Sequence, residues 1–497
     1  MISLRMKLSS YPSEAAAVAR PSRAFSHARG SKFLATTLGC MAAAFAGCAT
    51  VSAASDPWSE EAAIVARIHA PQFPHHDFPI TDYGASAGRS DSSAAIRKAI
   101  QACHDAGGGR VIVPSGVFDT GGIRLLSKVE LHLEDGATLR FSTDPAAYLP
   151  VVTTRWEGTE CMNYAAFIYA YDQEDIAVTG NGTLDGQASD ENWWAWAKHA
   201  GGTRARATTD VRALNDLADR GVPVEGRVFG AGHFLRPNFF QPYRCRNVLI
   251  EGVTILRSPM WELNPELCTN VTVRNVKIST GGPNNDGCDP ESCRDVLVEG
   301  CVFNTGDDCM AIKSGRNDDG RRVGVPVENL VIRKCSMQDG HAGVAIGSEI
   351  SGDCRNVFVE DCTMDSPHLE RALRIKSNAR RGGVVEGIHM RRVTIGRVTE
   401  AVLTVDFQYE EGSHGAFPPT VRDVSIEDTT AKASPRLFFI TGFKGATIDN
   451  IRISHCTIAG VDSPELIEYA GRIELDNVMV IPAKAPHSQS SRALAPN

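Results

Sequence analysis

The 497-residue chain has few aromatic residues, no excess of positive charge and no metal-binding spacing of Cys or His. Its formal charge of −8 argues against nucleic acid and against an anionic membrane surface as partners. No Cys-x-x-Cys pair or His cluster occurs, so the sequence predicts neither a zinc site nor a redox site. The 45 Gly and the abundant Val, Ile and Leu are typical of a fold with many turns and an aliphatic core.

Long apolar runs are also missing, apart from one short stretch near the N-terminus. Residues 33–47 are apolar, follow basic residues and have the length of a signal-peptide core, not of a membrane span. We therefore expect residues 1–54 to be a leader and the protein to be exported, to the periplasm or out of the cell. Two processing routes stay open: cleavage near residues 51–54, or lipid attachment at Cys48 as in an outer-membrane lipoprotein.

A short phrase recurs from mid-chain onward: a turn residue, alternating β-branched and polar residues, then a small residue or Cys. Its copies begin at Asn247, Asn270, Asp295, Asn329 and Asn356, and more loosely at Gly387, Asp423 and Asn450. The alternation indicates strands, and the spacing suits one solenoid coil plus loops of varying length. The tight turns that hairpins need are missing. We predict an all-β fold, a right-handed parallel β-helix.

The predicted solenoid spans residues 55–481 as a single catalytic domain, because solenoids often exceed the usual domain size. A helix-like stretch at 92–106 should cap the first coil. The excursion at 185–239 lacks periodicity, and its Trp residues either stack on a ligand or only anchor the loop. Residues 482–497 should be disordered, and we expect a monomer.

Twelve cysteines remain outside the leader. Four of them occupy the same place in the repeated phrase: Cys301, Cys335, Cys362 and Cys456. That placement favours stacked, buried thiols over a disulfide framework. The pairs to check for a disulfide are Cys288 with Cys293 and Cys354 with Cys362.

Three aspartates are the candidate acid and base. Asp286 lies 21 residues before Asp307, which is followed directly by Asp308. In a solenoid with a coil of about that length, the three carboxylates share one small patch. Like charges that close cannot all ionise, so one stays protonated and another anionic, as acid/base catalysis requires. Adjacent strand residues point to opposite faces, so a turn or bulge must lie at Asp307 and Asp308.

Basic residues follow at the spacing of further coils. His341 and then Arg374 come after Asp308 at equal intervals, each of which suits one coil with a loop. Lys376 lies on the same side of its strand as Arg374. A lone His and a pair of surface charges are more often structural. Set over three acids, however, two cations suit a sugar that carries its own carboxylate.

The ordered set Asn-x-Asp-Gly, Gly-Asp-Asp, Gly-His and Arg-Ile-Lys resembles glycoside hydrolase family 28, the polygalacturonases, over about residues 82–480. Phrases at 236–238 and 258–261 resemble its bacterial exo-acting branch. The resemblance implies a parallel β-helix, no metal and no cofactor. It also implies a pectic substrate whose α-1,4 galacturonosyl bonds are hydrolysed with inversion.

The resemblance also implies residue roles. Asp307 resembles the general acid, and Asp286 and Asp308 resemble the carboxylates that hold and activate water. His341 would support the acid. The implied substrate-binding residues are Asn284, Arg374, Lys376 and Tyr409.

The chain departs from the family pattern at Asn285, where the family has Thr, and at Ala342, where it has Gly. Neither change removes a reactive group. An inverting hydrolase should hold its acid and base about 6.5–9.5 Å apart, which adjacent coils can provide. Exo or endo action would depend on whether the 185–239 excursion closes one end of the groove.

Three alternatives stay open at this point. A rhamnogalacturonan or other decorated-pectin hydrolase would use the same chemistry on a different chain. A pectate lyase would eliminate instead of hydrolyse, usually with calcium held by carboxylates. A non-catalytic carbohydrate-binding β-helix would bind without releasing reducing ends.

Overall fold

The backbone of the computed structural model winds into stacked coils that build three parallel sheets. The structure describes residues 56–88, 90–197 and 206–483. This is the parallel β-helix that the repeated phrase predicts. Each coil contributes one strand to the first sheet, and most coils contribute one to each of the other two.

The first sheet has 13 strands. Its strands are Asp77–Pro79, Gly109–Val113, Val129–Leu133, Glu174–Gly180, Arg246–Glu251, Thr269–Arg274, Arg294–Glu299, Val327–Arg333, Cys354–Glu360, Val384–Arg391, Thr420–Glu427, Thr447–Ser454 and Ile473–Asp476.

The second sheet has 12 strands. Its strands are Gly116–Thr120, Ala137–Phe141, Thr183–Asp185, Thr254–Leu256, Lys277–Ser279, Val302–Asn304, Ser336–Met337, Thr363–Asp365, Thr394–Arg397, Thr430–Ala433, Thr457–Val461 and Met479–Pro482.

The third sheet consists of two runs of strands joined by single bridges through Leu263 and Cys288. Its first run is Ile123–Arg124, Ile168–Tyr171 and Phe240–Tyr243. Its second run is Met310–Ile312, Ala342–Ile346, Arg371–Lys376, Ala401–Asp406, Phe438–Thr441 and Leu466–Glu468.

The core is a set of apolar columns running through the coils. One column pairs in register from coil to coil and is fully buried: Val248, Val271, Val296, Leu330, Val357, Ile388, Val424 and Ile451. Side chains alternate between faces along a strand, so every second residue enters the core.

The turn residue of the repeated phrase has a conformational reason. All eight copies, from Asn247 to Asn450, have φ between 54° and 68°, a left-handed conformation that Asn, Asp and Gly tolerate best. Their side chains also bond from coil to coil. For example, Asn270 Nδ2 donates to Asn247 Oδ1 at 2.8 Å, and Asn356 Nδ2 donates to Asn329 Oδ1 at 3.0 Å.

Four α-helices accompany the sheets in the described ranges: α1 Pro57–Arg67, α2 Ser93–Asp105, α3 Ala207–Asp219 and α4 Asn317–Val323. The 3₁₀ turns are Ile80–Tyr83, Pro145–Tyr148, Trp193–Trp196 and Val224–Gly226. Helix α2 buries Ile96, Ala99 and Ile100 in the main core beside the first coils, as predicted for a cap. Helix α1 was not predicted. It packs Ile64 against Val331 and its neighbours on the outer face of the first sheet.

An antiparallel hairpin, Val152–Trp156 paired with Thr159–Asn163, leaves the coils before the long excursion. The sequence showed no signal for it. Within the excursion, Trp193 and Trp196 are buried and pack against each other. Trp194 Nε1 donates to Ser258 O at 2.9 Å. The Trp cluster therefore anchors the loop, and its two buried rings are not available to stack on a ligand.

All twelve cysteines of the described residues are buried and free. The prediction of stacked, buried thiols is confirmed, and neither candidate disulfide forms. Free cysteines pack here as small apolar side chains.

The predicted leader, with Cys48, and most of the predicted tail lie outside the described residues. Export, lipid attachment, a disordered tail and the domain boundaries therefore stay predictions. Within the described part of the chain, helices are too short or too polar to cross a membrane.

Ile332 is a fully buried member of the first sheet, paired with Val298 and Val359 on either side. We expect Ile332→Ala to lower the free energy of unfolding by about 2–5 kcal/mol, because it leaves a cavity in a packed column. Urea unfolding measures the change. Thr363→Ala, at an exposed strand position, is the control and should cost less than about 0.5 kcal/mol. Equal losses in both variants would contradict the assigned core.

Candidate active site

Three carboxylates meet at the turn that leads into the third sheet. Asp286 lies two residues before Cys288, and Asp307 and Asp308 lie in the bend between Val302–Asn304 and Met310–Ile312. One carboxylate oxygen from each aspartate lies within 4.8 Å of the other two. The predicted clustering is therefore present. Its cause is backbone stacking, since Gly287 N donates to Asp308 O at 3.0 Å.

The bend at residues 305–309 brings the carboxylates of two adjacent aspartates together, with Asp307 at the cleft and Asp308 fully buried behind it. Thr305 Oγ1 donates to Asp307 O at 2.8 Å, and Asp308 N donates to Asp307 Oδ1 at 3.0 Å. These bonds break the strand alternation that would aim Asp307 and Asp308 at opposite faces. The expected turn is present.

The nearest oxygens of Asp286, Asp307 and Asp308 lie within 4.8 Å of one another. The aspartates lie on neighbouring hydrogen-bonded coils, which are about 4.8 Å apart. The separation of about 6.5–9.5 Å in an inverting hydrolase is measured between whole carboxyl groups, which lie further apart than their nearest oxygens, and it stays a prediction for this site.

His341 lies on the next coil, directly beside Asp307. Its backbone N donates to Asp307 O at 3.1 Å, and its Nδ1 donates to Asp307 Oδ1 at 2.9 Å. The hydrogen bond to Asp307 raises the pKa of His341, although partial burial opposes it. Burial would raise the pKa of Asp307, but the hydrogen bond from His341 and the charge of Lys376 outweigh it and hold that pKa at about 2.

The surroundings of Asp286 favour its neutral form, unlike those of Asp307. Burial raises its pKa well above the usual range, the neighbouring Asp289 and Asp307 raise it further, and the Lys313 ammonium opposes them. The surroundings therefore favour the neutral form of Asp286 and the charged form of Asp307. This is the reverse of the charge states expected for Asp307 as the acid, because His341 and the nearby lysine stabilise the Asp307 anion.

The predicted cation pair lies over Asp308. Lys376 Nζ is 2.8 Å from Asp308 Oδ2, whereas Arg374 Nη1 is 3.9 Å from Asp308 Oδ1. Lys376 is therefore paired with a carboxylate while it also borders the cleft, and its role in substrate binding stays a prediction. Arg374 keeps a looser contact. Both cations lie beside the Tyr409 ring, at 5.7 and 5.5 Å from its centre, so the three predicted binding residues share one wall.

Lys313 is a functional candidate that sequence reasoning missed. Its buried Nζ lies 3.3 Å from Glu349 Oε2, 3.5 Å from Asp289 Oδ1 and 3.9 Å from Asp286 Oδ2. Burial would lower the pKa of Lys313, but these carboxylates outweigh it and keep the group charged. Lys313 thus supplies the positive charge beneath the aspartates. The sequence could have indicated Lys313, because this lysine follows Asp307 and Asp308 closely, in Ala-Ile-Lys.

Asn284 is held by a buried arginine. Arg236 Nη2 donates to Asn284 Oδ1 at 2.6 Å, and its Nη1 donates to Pro259 O and Pro283 O, each at 2.7 Å. The contact fixes the loop before Asp286 and places Asn284 in the cleft wall.

Asn285, which replaces the family's Thr, has its own supporting role. Its Nδ2 donates to Ser258 O and Met260 O, and its Oδ1 accepts from Gly282 N at 2.7 Å. The amide thus bonds the Asp286 loop to the preceding coil. The departure from the family pattern leaves this loop well supported.

The aspartates open into a cleft of about 400 Å³. Besides the predicted residues, its lining includes Glu157, Trp261, Lys313, Ser348, Glu349, Glu370, Arg371 and Glu410. Glu157 comes from the hairpin tip, far before Asp286 in the chain, so no local motif could have identified it. The tip is fixed across the cleft because Arg316 N donates to Gly158 O at 2.9 Å and Arg316 Nη1 pairs with Glu157 Oε2 at 3.0 Å.

The same three aspartates are the one group of described residues whose oxygens are close enough to ligate a cation. Two ammonium groups already bring positive charge to them, Lys376 at Asp308 and Lys313 near Asp286. A calcium-dependent lyase would therefore have to displace Lys376 from Asp308.

The carboxyl groups of this site lie close together in an open cleft on a parallel β-helix, and their surroundings favour the neutral form of one and the charged form of another. Such a pair can act as the acid and the base of a glycoside hydrolase. The chain belongs to glycoside hydrolase family 28. The family model "Glycosyl hydrolases family 28" matches residues 231–471. A hyperthermoactive exopolygalacturonase from Thermotoga maritima is 43% identical, with a TM-score of 0.82, and the match covers 86% of this chain and 96% of that one.

More distant relatives agree with that assignment. A probable polygalacturonase from Vitis vinifera is 27% identical over 77% of this chain and 74% of its own. An exo-poly-alpha-D-galacturonosidase from Dickeya chrysanthemi is 26% identical over 71% of this chain and 62% of its own. The protein is thus a polygalacturonase-like glycoside hydrolase with a pectic substrate.

We expect Asp307→Asn to lower the pKa of His341, because the variant removes the charge that stabilises the imidazolium. NMR titration of labelled histidine measures it, and His341→Gln identifies the resonance. Asp210→Asn, which removes the carboxylate beside His233 instead, is the control and should leave the His341 titration in place. A His341 pKa that is identical with and without the Asp307 carboxylate would disprove the coupling.

Proposed function

We propose that the protein is an exo-acting polygalacturonase that hydrolyses α-1,4 galacturonosyl bonds of homogalacturonan with inversion. The observation that carries this proposal is the contact between the carboxylate cluster and a basic wall, in which Arg374 lies 3.9 Å from Asp308. That arrangement puts a guanidinium, which can grip a uronate carboxylate, directly beside the acid and base groups.

Substrate binding offers a reason for Asp307 to become the acid. A galacturonate carboxylate at Arg374 would offset the positive charge that holds down the pKa of Asp307. Asp286, whose oxygen lies within 4.8 Å of an Asp307 oxygen, has a raised pKa, which favours its protonated form before substrate binds. Moving that proton from Asp286 to Asp307 makes Asp307 a general acid and Asp286 a base. One transfer thus converts the site to its reactive state.

The reaction then needs one water. Asp307 donates its proton to the glycosidic oxygen, and the bond from that oxygen to C1 of the sugar breaks. Asp286 and Asp308 orient a water and accept one of its protons as its oxygen attacks C1. Lys313 and Lys376 stabilise the negative charge on these carboxylates. The products are two saturated galacturonides, one with a new reducing end.

The hairpin supports exo action. Its tip carries Glu157 into the cleft wall and docks on Arg316. We infer that this contact closes that side of the cleft. A groove closed at one side accepts a chain end and excludes a continuous chain. The 185–239 excursion, whose part in closing the groove the sequence left open, packs against the site loop: a Cβ at Gly282 would meet Trp194 at 2.2 Å. The likeness to the Thermotoga exopolygalacturonase favours the same mode.

Export and a monomeric state belong to this proposal, because pectin is a polymer outside the cell. The apolar segment at 33–47 supports export. In the alternative route, a lipid attached at Cys48 would keep the enzyme on the outer membrane.

We expect Asp307→Asn to lower kcat on polygalacturonate by about 10²–10⁴-fold, because the amide cannot donate the proton. A reducing-end assay measures the loss, and circular dichroism checks the fold. Asp105→Asn, at the exposed end of α2, is the charge-matched control and should stay fully active. Near-normal turnover in Asp307→Asn would remove Asp307 from the acid role. A wild-type protein that binds but releases no reducing ends would favour the carbohydrate-binding alternative.

The products of the first minutes of digestion test the mode of action. We expect monomer from the outset on chromatography, and the inverted β-anomer by proton NMR, because one closed side admits a chain end. A ladder of oligomers would show endo action. Unsaturated, UV-absorbing products would show a lyase, and release from rhamnogalacturonan alone would show the decorated-pectin alternative.

A further inference from the structure

A second cleft, larger than the catalytic one, lies nearer the N-terminal end of the coils. Its volume is about 1060 Å³, against about 400 Å³ for the catalytic cleft. Its walls come from helix α2, the turn at 119–124 and the segment at 142–150. Cavities of roughly 300–1,000 Å³ hold drug-sized ligands, so this one has room for an oligosaccharide. We call it the arginine cleft.

Three arginines line the arginine cleft. Arg140 is held by Asp119, with its Nε and Nη2 at 2.6 and 3.0 Å from the two carboxylate oxygens. Arg97 on α2 and Arg124 at the third sheet are exposed, and no carboxylate of residues 56–88, 90–197 or 206–483 lies within ion-pair distance of either. The cleft thus offers two guanidinium groups from separate elements for an outside anion.

Several other polar groups that line the arginine cleft bond within the protein, and the Asp91 carboxylate, which also lines it, accepts from Ser93 N at 2.9 Å. Gly121 N donates to Ser93 Oγ at 2.7 Å, Gly122 N donates to Ala147 O at 3.2 Å, and Tyr148 OH donates to Ser142 O at 2.6 Å. These bonds hold the floor of the arginine cleft in place. The available donors are therefore chiefly the guanidinium groups, which select a carboxylate-bearing ligand over a neutral sugar.

The arginine cleft is distinct from the catalytic cleft but lies along the same line of turns. The third sheet runs from Ile123 to Met310 in five coil-to-coil steps, through Ile168, Phe240, Leu263 and Cys288. At about 4.8 Å a step, the two clefts are roughly 24 Å apart.

The hairpin separates the two clefts. The chain at its base, Leu149, Pro150 and Ala165, borders the arginine cleft, and its tip at Glu157 borders the catalytic one. A chain end held in the catalytic cleft therefore does not fill the arginine cleft.

We propose that the arginine cleft binds a second segment of an acidic oligosaccharide, with Arg97 and Arg124 gripping its carboxylates. The identification of this oligosaccharide as galacturonan rests on the function proposed above. The preference of the arginine cleft for a polyanion does not rest on it. A polymer held there keeps its cleavable chain end near the catalytic cleft, which raises the effective concentration of that end. Short oligomers gain nothing, because one molecule cannot occupy both clefts.

The first experiment counts binding sites. Isothermal titration of trigalacturonate into the Asp307→Asn variant should show two sites per chain. Adding Arg97→Ala and Arg124→Ala should leave one. Lys98→Ala removes a neighbouring charge on α2 that does not line the cleft, and it should leave two. One site in Asp307→Asn, or two after both arginines are removed, would overturn the proposal.

The second experiment separates anchoring from catalysis. In the active protein, the Arg97→Ala/Arg124→Ala variant should raise the KM for polygalacturonate several-fold with kcat unchanged, and leave kcat/KM for trigalacturonate unchanged. Lys98→Ala should alter neither. Equal losses on polymer and trimer, or no loss on polymer, would overturn the proposal. A wild-type protein that cleaves no galacturonan would refute the proposed function, while the titration would still report on the arginine cleft.

Discussion

Hydrogen bonding between successive parallel coils is the constraint on which the rest of this molecule depends. It places residues one coil apart side by side: Asp307 N donates to Asn285 O, and His341 N donates to Asp307 O. Groups far apart in the chain become neighbours because each coil repeats the backbone of the last. The same constraint sets their spacing at about 4.8 Å, which makes the carboxylate cluster tight.

Packing acidic groups so closely requires compensating charge. Asp286, Asp289 and Asp308 are buried, and isolated buried carboxylates are costly. Lys313 and Lys376 lie within the third sheet's coils, where they contact these acids and stay charged. Burial and neighbouring acids raise the pKa of Asp286, whereas His341 and Lys376 hold the pKa of Asp307 low. The charge at the site is therefore set by contacts between coils, and a carboxylate on a bound sugar would alter it.

A hairpin interrupts the otherwise regular surface of the stacked coils. The coils alone would form an open groove along the third sheet. The strands Val152–Trp156 and Thr159–Asn163 leave the coils, and Arg316 fixes their tip beside the catalytic carboxylates. The base of the same hairpin borders the cleft with the exposed arginines. The hairpin thus contributes to two clefts on one line of turns.

The solenoid and most of the catalytic constellation could be predicted from the amino-acid sequence. A turn residue such as Asn270 must tolerate a left-handed backbone at every coil, so the repeat is visible in the sequence. Asp286, Asp307 and His341 follow that repeat and could be placed on one face. Their contacts became known only from the folded chain: Lys376 pairs with Asp308, burial and neighbouring acids raise the pKa of Asp286, and Glu157 of the hairpin tip lines the cleft. Periodicity specifies which side of a coil a residue faces, whereas charge state and cleft shape depend on distances to residues outside the repeat.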